Sequence, residues 1–361
     1  MGQALQTSAI KIQAYGYFFN ETGKPLERKD FVISQVLPDH AVVKVAGCGL
    51  CHTDISFLSG AVKTKQPLSL ILGHEISGIV VEVGSLMTQL KGKNVLIPAV
   101  LPCGECELCR SERDNICQNQ KMPGNDFHGG FASHIVVPAK YVCEVPQAMN
   151  GMKLSTLSVI ADAVTTPYQS MKRSHLKKDD VAIVIGTGGI GIYMVQHARN
   201  VGAHVIAIEY NAERLDVALK QGAHFGICSK GMEEKELKEK VKNYVKEQKL
   251  PKYQWKIFET SGSSGGQSLA FSLLTFASTL GIIGFTMDKL SLRLSNIMAF
   301  DADVFGNWGC RPAYYKNVVE DVLAKKINIL DNVEEAPLGT INEVLADAFA
   351  HKLKKRMIFV P

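Results

Sequence analysis

No apolar run in the chain approaches the roughly 18 residues that a membrane-spanning helix needs, and the opening stretch MGQALQTSAIKIQAYGYF has no basic, apolar and small-residue signal pattern. Both absences point to the cytoplasm. Gly2 after Met1 is compatible with an N-terminal acyl chain, but the strand-like run soon after it favours a plain N terminus. One-sided charge is lacking too. The net charge of +5 is modest and is gathered in no basic arm, which argues against a nucleic-acid protein; it suits a substrate or cofactor that carries phosphates. There is no internal repeat and no low-complexity segment. A secreted disulfide framework is also missing: the nine cysteines are odd in number, and four of them fall between Cys103 and Cys117, a spacing of thiolate ligands.

What is present is a chain of 361 residues with 46% hydrophobic content, enough for two or more domains with a large core. From Ile10 to about Val145 short apolar runs such as AVVKVAG, ISGIVVEVG and FASHIVVP are broken by Gly, Pro and Asn, the pattern of short strands and tight turns. A short helix is expected after Cys51, where ThrAspIleSerPheLeu supplies a cap and apolar spacing. Residues 154–174 turn to small residues with helical spacing. From Val181 the reading becomes strand, glycine loop, helix, strand, helix (VAIVIG, GIYMVQHARNVG, HVIAIEY, NAERLDVALKQG), which predicts a parallel sheet with right-handed crossovers. MEEKELKEKVKNYVKEQ reads as a solvated amphipathic helix. WKIFETSG, TLGIIGFT and LSLRLSNI predict further strands, and RMIFVP a last one.

Three groups of residues carry chemistry. CGECELCRSERDNIC places Cys103, Cys106, Cys109 and Cys117 in one loop, where four thiolates can close a tetrahedral shell around zinc and leave no position for substrate. An iron–sulfur cluster is the alternative. In VAIVIGTGGIG, Gly186, Gly188 and Gly191 form GxGxxG around Gly189 and Ile190, directly after a strand and opening a helix; such a loop lets a pyrophosphate approach the helix N terminus. Glu209 ends the next strand, where a carboxylate can accept from both ribose hydroxyls and repel a 2′-phosphate, favouring NAD over NADP. Arg214, just beyond it, joins the candidate cofactor contacts. The third group is AGCGLCHTDISFLS at 46–59 with LGHEISG downstream: Cys51 and His74 supply one soft and one borderline ligand, the beginning of a catalytic zinc site that needs a third.

In their order, Cys51, Gly73-His74-Glu75, the four-cysteine loop, the GxGxxG and Arg356 resemble zinc-dependent medium-chain alcohol dehydrogenases along nearly the whole chain. The resemblance implies an α/β fold of a GroES-like β-rich catalytic domain plus a Rossmann doubly wound parallel-sheet domain. It sets the expected boundaries at 1–163 for the catalytic domain with its structural zinc lobe, 164–305 for the NAD-binding domain and 306–361 for a return to the first. It implies two zinc ions, one catalytic and one structural, and NAD as hydride acceptor.

By the same resemblance, Cys51 and His74 are the first two catalytic zinc ligands and Asp162 stands in the place of the third. Many members carry cysteine there; the carboxylate is a harder ligand that leaves the metal more electrophilic. Glu75 is the competing ligand. Asp54 corresponds to the carboxylate that orients the histidine, Thr53 to the hydroxyl that takes the alcohol proton, and His52 and Arg356 to pyrophosphate contacts. Ser56 stands where several relatives carry a terminal relay histidine. The phrasing of VKTKQPLSLILGHEISGIV and KMPGNDFHGGFASHIVVP is similar to members acting on a hydroxyacyl-CoA thioester, with Lys63, Lys65, Lys121 and Arg311 as candidate contacts to CoA phosphates. Residues 282–294 resemble the strand edge through which relatives pair, so a homodimer or homotetramer is expected. A metal-free enone or quinone reductase would lack Cys51, His74 and the cysteine loop. A non-catalytic NAD-binding structural protein would have no use for the ligand set.

Overall fold

The computed structural model describes residues 8–361; Gly2 lies outside the described residues. In chain order the first elements are β1 (Ser8–Phe19), β2 (Glu27–Val36), β3 (His40–Gly49), α1 (His52–Leu58), β4 (Leu70–Ile71), β5 (Glu75–Val83), β6 (Asn94–Ile97), α2 (Glu107–Arg110), β7 (His134–Pro138) and β8 (Cys143–Val145). A 3-10 turn at Ser155–Ala161 and α3 (Thr165–Arg173) follow. Then come β9 (Val181–Ile185), α4 (Gly191–Asn200), β10 (His204–Glu209), α5 (Ala212–Lys220), β11 (Phe225–Cys228), α6 (Glu234–Glu247), β12 (Lys256–Glu259), α7 (Ser264–Ser272), β13 (Thr279–Ile282), α8 (Ser295–Ala299) and β14 (Asp303–Gly306). The chain closes with α9 (Tyr315–Leu323), β15 (Val333–Pro337), α10 (Ile341–Phe349) and β16 (Arg356–Val360).

Two compact units result. The first comprises residues up to 165 with 309–324 and 329–361, the second 166–308 with 325–328. In the first, β15-β16-β3-β5-β6-β8 form one sheet, with β7 also on β3, and β2-β1-β4 form a smaller one. Strand β3, HAVVKVAGCG, is buried over most of its length, with Val42, Val43 and Val45 in the core, as a strand with neighbours on both faces must be. The late strand β16 pairs antiparallel with β3, and its Phe359 packs edge-on against Phe131 at 5.3 Å in the core. This return is what holds Arg356 beside residues 300 positions earlier in the chain.

The second unit is a parallel six-stranded sheet in the order β11-β10-β9-β12-β13-β14. Its central strand, VAIVI, is buried at every position, the mark of a parallel sheet covered on both faces. Helix α6 buries Leu237, Val241 and Val245, a single stripe at i, i+4, i+8. The unit has the architecture of a doubly wound dinucleotide-binding fold.

One expected strand does not form. LSLRLSNI alternates with period two, yet its residues run as an irregular segment into α8, and Leu294 is 67% exposed. The partner position beside β13 is taken by β14, so the alternation finds no ladder within the chain. The edge expected at 282–294 is therefore displaced: the outer strand of the sheet is β14. Among the described residues no helix is long and apolar enough to cross a membrane.

Candidate active site and metal centres

The residues Cys51, His74, Glu75 and Asp162 converge in the first unit, each offering a ligand atom within 4.8 Å of the others. Cys51 caps α1, His74 immediately precedes β5, and Asp162 ends the 3-10 turn. Asp162 Oδ2 lies 3.8 Å from Cys51 Sγ and 3.6 Å from His74 Nε2. Ligands about 2.0–2.3 Å from a tetrahedral zinc stand about 3.3–3.8 Å from one another, so these three atoms are already at the edges of such a shell. Both ring nitrogens of His74, and Glu75 Oε2, are buried without a hydrogen-bond partner, a costly state unless something occupies the space between them. Burial alone would lower the His74 pKa, but Asp54, Cys51 and Asp162 together hold it well above its ordinary value. The same anionic surroundings favour a bound cation, and the donor set fits zinc.

Two buried carboxylates brace this arrangement. Asp54 Oδ2 accepts the Cys51 N–H at 3.0 Å and its Oδ1 accepts the Gly73 N–H at 3.1 Å; Oδ1 also stands 3.5 Å from His74 Nδ1. It thus faces the nitrogen opposite Asp162 and leaves Nε2 for a metal. Glu75 Oε1 accepts from the Ala163 N–H at 3.1 Å and from Arg356 at 2.8 Å. Burial pushes the Glu75 carboxyl up to about 7 against the opposing pull of Arg356. Arg356, expected at a pyrophosphate, is committed here to Glu75 and to the Leu50 carbonyl at 3.2 Å. Sequence reading missed this second brace, as well as Tyr315, whose hydroxyl donates to the Ala161 carbonyl one residue before Asp162 and accepts the Ala99 N–H at 3.3 Å. No local pattern announces either; both depend on the late return of the chain.

Around Cys51, the Thr53 hydroxyl lies 3.8 Å from the sulfur. Ser56 is buried and its hydroxyl donates to the His52 carbonyl at 3.1 Å, while the His52 side chain is exposed.

The four-cysteine lobe is separate and self-contained. Its sulfurs stand at 3.5 Å (Cys106–Cys109, Cys103–Cys117), 3.7 Å (Cys106–Cys117) and 3.9 Å (Cys103–Cys109). These are the edges of a tetrahedron about one ion with sulfur ligands near 2.3 Å. An iron–sulfur cube would interpose four irons and four sulfides and spread the thiolates further apart. Backbone N–H groups of Glu105 and Cys106 pull the Cys103 thiol down to about 6, whereas burial pushes Cys109 up to about 12. Arg311, expected near CoA phosphates, instead pairs with Asp114 at 2.7 Å and Glu112 at 3.7 Å on this lobe. Lys65 pairs with Asp126 at 3.3 Å; Lys63 and Lys121 are exposed.

In the second unit the glycine loop follows β9. Gly186 has φ +82° and a side chain there would lie 2.6 Å from the Ser261 backbone. At Gly191 a Cβ would meet the Gly186 carbonyl at 1.8 Å. Gly188 differs: only the Arg214 guanidinium comes near, at 3.8 Å, so its bareness serves no packing need and leaves the approach that a pyrophosphate requires. Gly189 and Ile190 lead into α4, and Ile190 occupies its N-cap. Glu209 already accepts three bonds from the chain: from the Thr187 N–H at 2.6 Å, the Thr187 hydroxyl at 3.2 Å and the Asn211 N–H at 2.9 Å. About one acceptor position of its four remains for a ribose hydroxyl.

Comparison with known proteins places this geometry in context. Residues 37–147 match the alcohol dehydrogenase GroES-like domain and residues 189–324 the zinc-binding dehydrogenase domain. The chain is 33% identical over 210 residues to an alcohol dehydrogenase of Geobacillus stearothermophilus, covering 58% of this chain and 61% of that one. It is 33% identical over 198 residues to a D-arabitol-phosphate dehydrogenase of Enterococcus avium, covering 54% and 55%. The chain thus spans about three fifths of the length of the curated relatives it matches. Its fold is that of an alcohol dehydrogenase of Thermotoga maritima, with a TM-score of 0.87 at 22% identity over 97% of this chain and 100% of that one.

Proposed function

We propose that the chain is a zinc-dependent medium-chain alcohol dehydrogenase, as its matches to the GroES-like and zinc-binding dehydrogenase domains support, and that it oxidises a secondary alcohol with hydride transfer to NAD. The observation that carries the reading is the placement of Asp162 Oδ2 at ligand-to-ligand distance from both Cys51 Sγ and His74 Nε2. Zinc, when bound, would activate the alcohol oxygen as a Lewis acid, and NAD would accept the hydride. Cys51, His74 and Asp162 would hold the metal, with Glu75 as the competing ligand. Asp54 holds the Cys51 and Gly73 backbones and faces His74 Nδ1, which keeps Nε2 toward the metal. The Thr53 hydroxyl takes the alcohol proton and passes it on; Ser56, turned back onto its own helix, does not extend the path. Glu209 favours NAD over NADP through its charge beside the glycine loop.

For the substrate, the finer reading is 6-hydroxycyclohex-1-ene-1-carbonyl-CoA, oxidised to the 6-oxo product in anaerobic benzoyl-CoA degradation. Its support is the phrasing of residues 62–80 and 121–138, with Lys63 and Lys121 as exposed cations for CoA phosphates. The D-arabitol-phosphate dehydrogenase relative favours a second reading, a polyol or polyol phosphate. A homodimer or homotetramer is supported by the exposed Phe285, Met287, Leu294 and Met298 near the outer strand β14.

The test is a screen of NAD reduction with simple alcohols, polyols and hydroxyacyl-CoA thioesters, run with and without a zinc chelator. Expected are about two zinc ions per chain and chelator-sensitive NADH formation with one class. Zinc near zero, or cofactor binding without turnover of any class, would overturn the reading in favour of a non-catalytic NAD-binding protein. Glu209→Ser is expected to raise the use of NADP relative to NAD by about tenfold, on the scale of one lost charge interaction; an unchanged ratio would remove its ribose role.

A further inference from the structure

The second unit carries a cavity of about 470 Å³ that has no part in the reading above. It is bordered by α6, by the segments leading into β12 and β13, and by α8. The glycine loop and Glu209 follow the C-terminal ends of β9 and β10. Because β12 runs parallel to β9, the cavity sits at the opposite end of the same sheet.

Its floor is apolar: Trp255, Leu273 and Leu274 are at most 5% exposed. Its rim is aromatic. Phe276 meets Tyr253 and Phe300 edge-on, both with centroids at 5.4 Å, and Tyr253 and Phe276 are 51% and 52% exposed. Rings of this size are seldom left open to water without a partner.

Four lysines complete the lining, Lys238, Lys242, Lys246 and Lys252, and no carboxylate does. Lys238, Lys242 and Lys246 follow one another at i, i+4 and i+8 along α6. Like charges in that register oppose the helix unless something offsets them. Of the four carboxylates on α6, two are used elsewhere: Glu236 pairs with Lys240, and Glu234 accepts from the Ser268 hydroxyl at 3.1 Å. None of the four lysines has an ion-pair partner among the described residues. Lysines bordering an exposed ring cluster over an apolar floor have the charge and shape complement of one class of molecule.

We propose that this cavity is a second small-molecule site, which takes a planar aromatic anion with its ring against Tyr253, Phe276 and Phe300 and its carboxylate or phosphate on the α6 lysines. The proposal is independent of the substrate of the dehydrogenase site.

The test uses the full chain saturated with NAD and two probes of similar ring size, anionic 8-anilinonaphthalene-1-sulfonate and neutral N-phenyl-1-naphthylamine, followed by fluorescence. Expected is one sulfonate-dye site per chain that NAD does not displace. Lys242→Glu should weaken the anionic dye at least tenfold, leave the neutral dye within about twofold, and leave alcohol turnover unchanged. Phe276→Ser should weaken both dyes. Displacement by benzoate would identify a carboxylate source and displacement by AMP a phosphate source; either supports the proposal. Loss of both dyes on NAD binding, equal weakening of both by Lys242→Glu, or displacement by neither acid would overturn it. Dissociation of an oligomer by Phe276→Ser in sedimentation would also overturn it, by assigning the face to a second copy of the chain.

Discussion

The two donor clusters of the first unit are assembled by opposite means. The lobe draws Cys103, Cys106, Cys109 and Cys117 from one loop, and its sulfurs meet almost wherever that loop is placed. The other cluster takes Cys51, His74 with Glu75, and Asp162 from three distant segments and is braced by Asp54, Glu75, Arg356 and Tyr315. A shell of four identical ligands is closed and suits a structural ion, while a mixed shell with a buried brace on each side can leave a position for substrate. Locality therefore separates the centre proposed to hold the fold from the one proposed to do the chemistry.

Mutations can break or sharpen that contrast. The largest effect is expected for Asp162→Ala, which should abolish at least about 10³-fold of the turnover rate and remove about half the zinc while sparing the lobe metal. Metal analysis alongside kinetics checks it, and full zinc retention would hand the ligand role to Glu75. Asp54→Asn keeps shape but not charge. It should weaken the catalytic metal about 10–100-fold with the lobe untouched, measured by competition with a graded chelator.

In the lobe the sign of the contrast reverses. Cys106→Ser should lower thermal stability by on the order of 3 kcal/mol, yet change turnover of the surviving folded enzyme less than about threefold, as read by calorimetry and initial rates. If activity and stability fell together, the lobe would be coupled to catalysis and the contrast would fail. The smallest effect is expected for Arg356→Lys, which retains charge but not the planar fork. A fall in turnover of less than about tenfold with unchanged zinc would show that Glu75 is held by more than Arg356 alone; loss of zinc would make Arg356 part of the metal brace.

Much of this was legible along the chain because the signals were local. The GxGxxG after VAIVI needs only a strand, a turn and a helix in succession, and the cysteine spacing needs only one loop. LSLRLSNI misled for the converse reason: alternation describes what a strand would bury, not whether a neighbour exists to pair with it, and β14 had already taken the place beside β13. Arg311 misled in a similar way. Its charge was evident, but its partner Asp114 lies 197 positions away, and a paired guanidinium has little left to offer a phosphate.

The sequence by itself determined the two-part architecture, the four-cysteine loop, the GxGxxG turn and the choice of Cys51 and His74 as candidate ligands, since periodicity and short spacing are properties of neighbouring residues. Only the tertiary structure decided that Asp162 Oδ2 faces both of those ligands, that Glu75 is held by Arg356 and the Ala163 N–H, and that four lysines and three rings share one cavity. Such convergence arises when β16 and the 3-10 turn dock onto β3 and β5 and when α6 docks on the parallel sheet. Packing of distant apolar faces sets those positions, and no pattern within a short window encodes them.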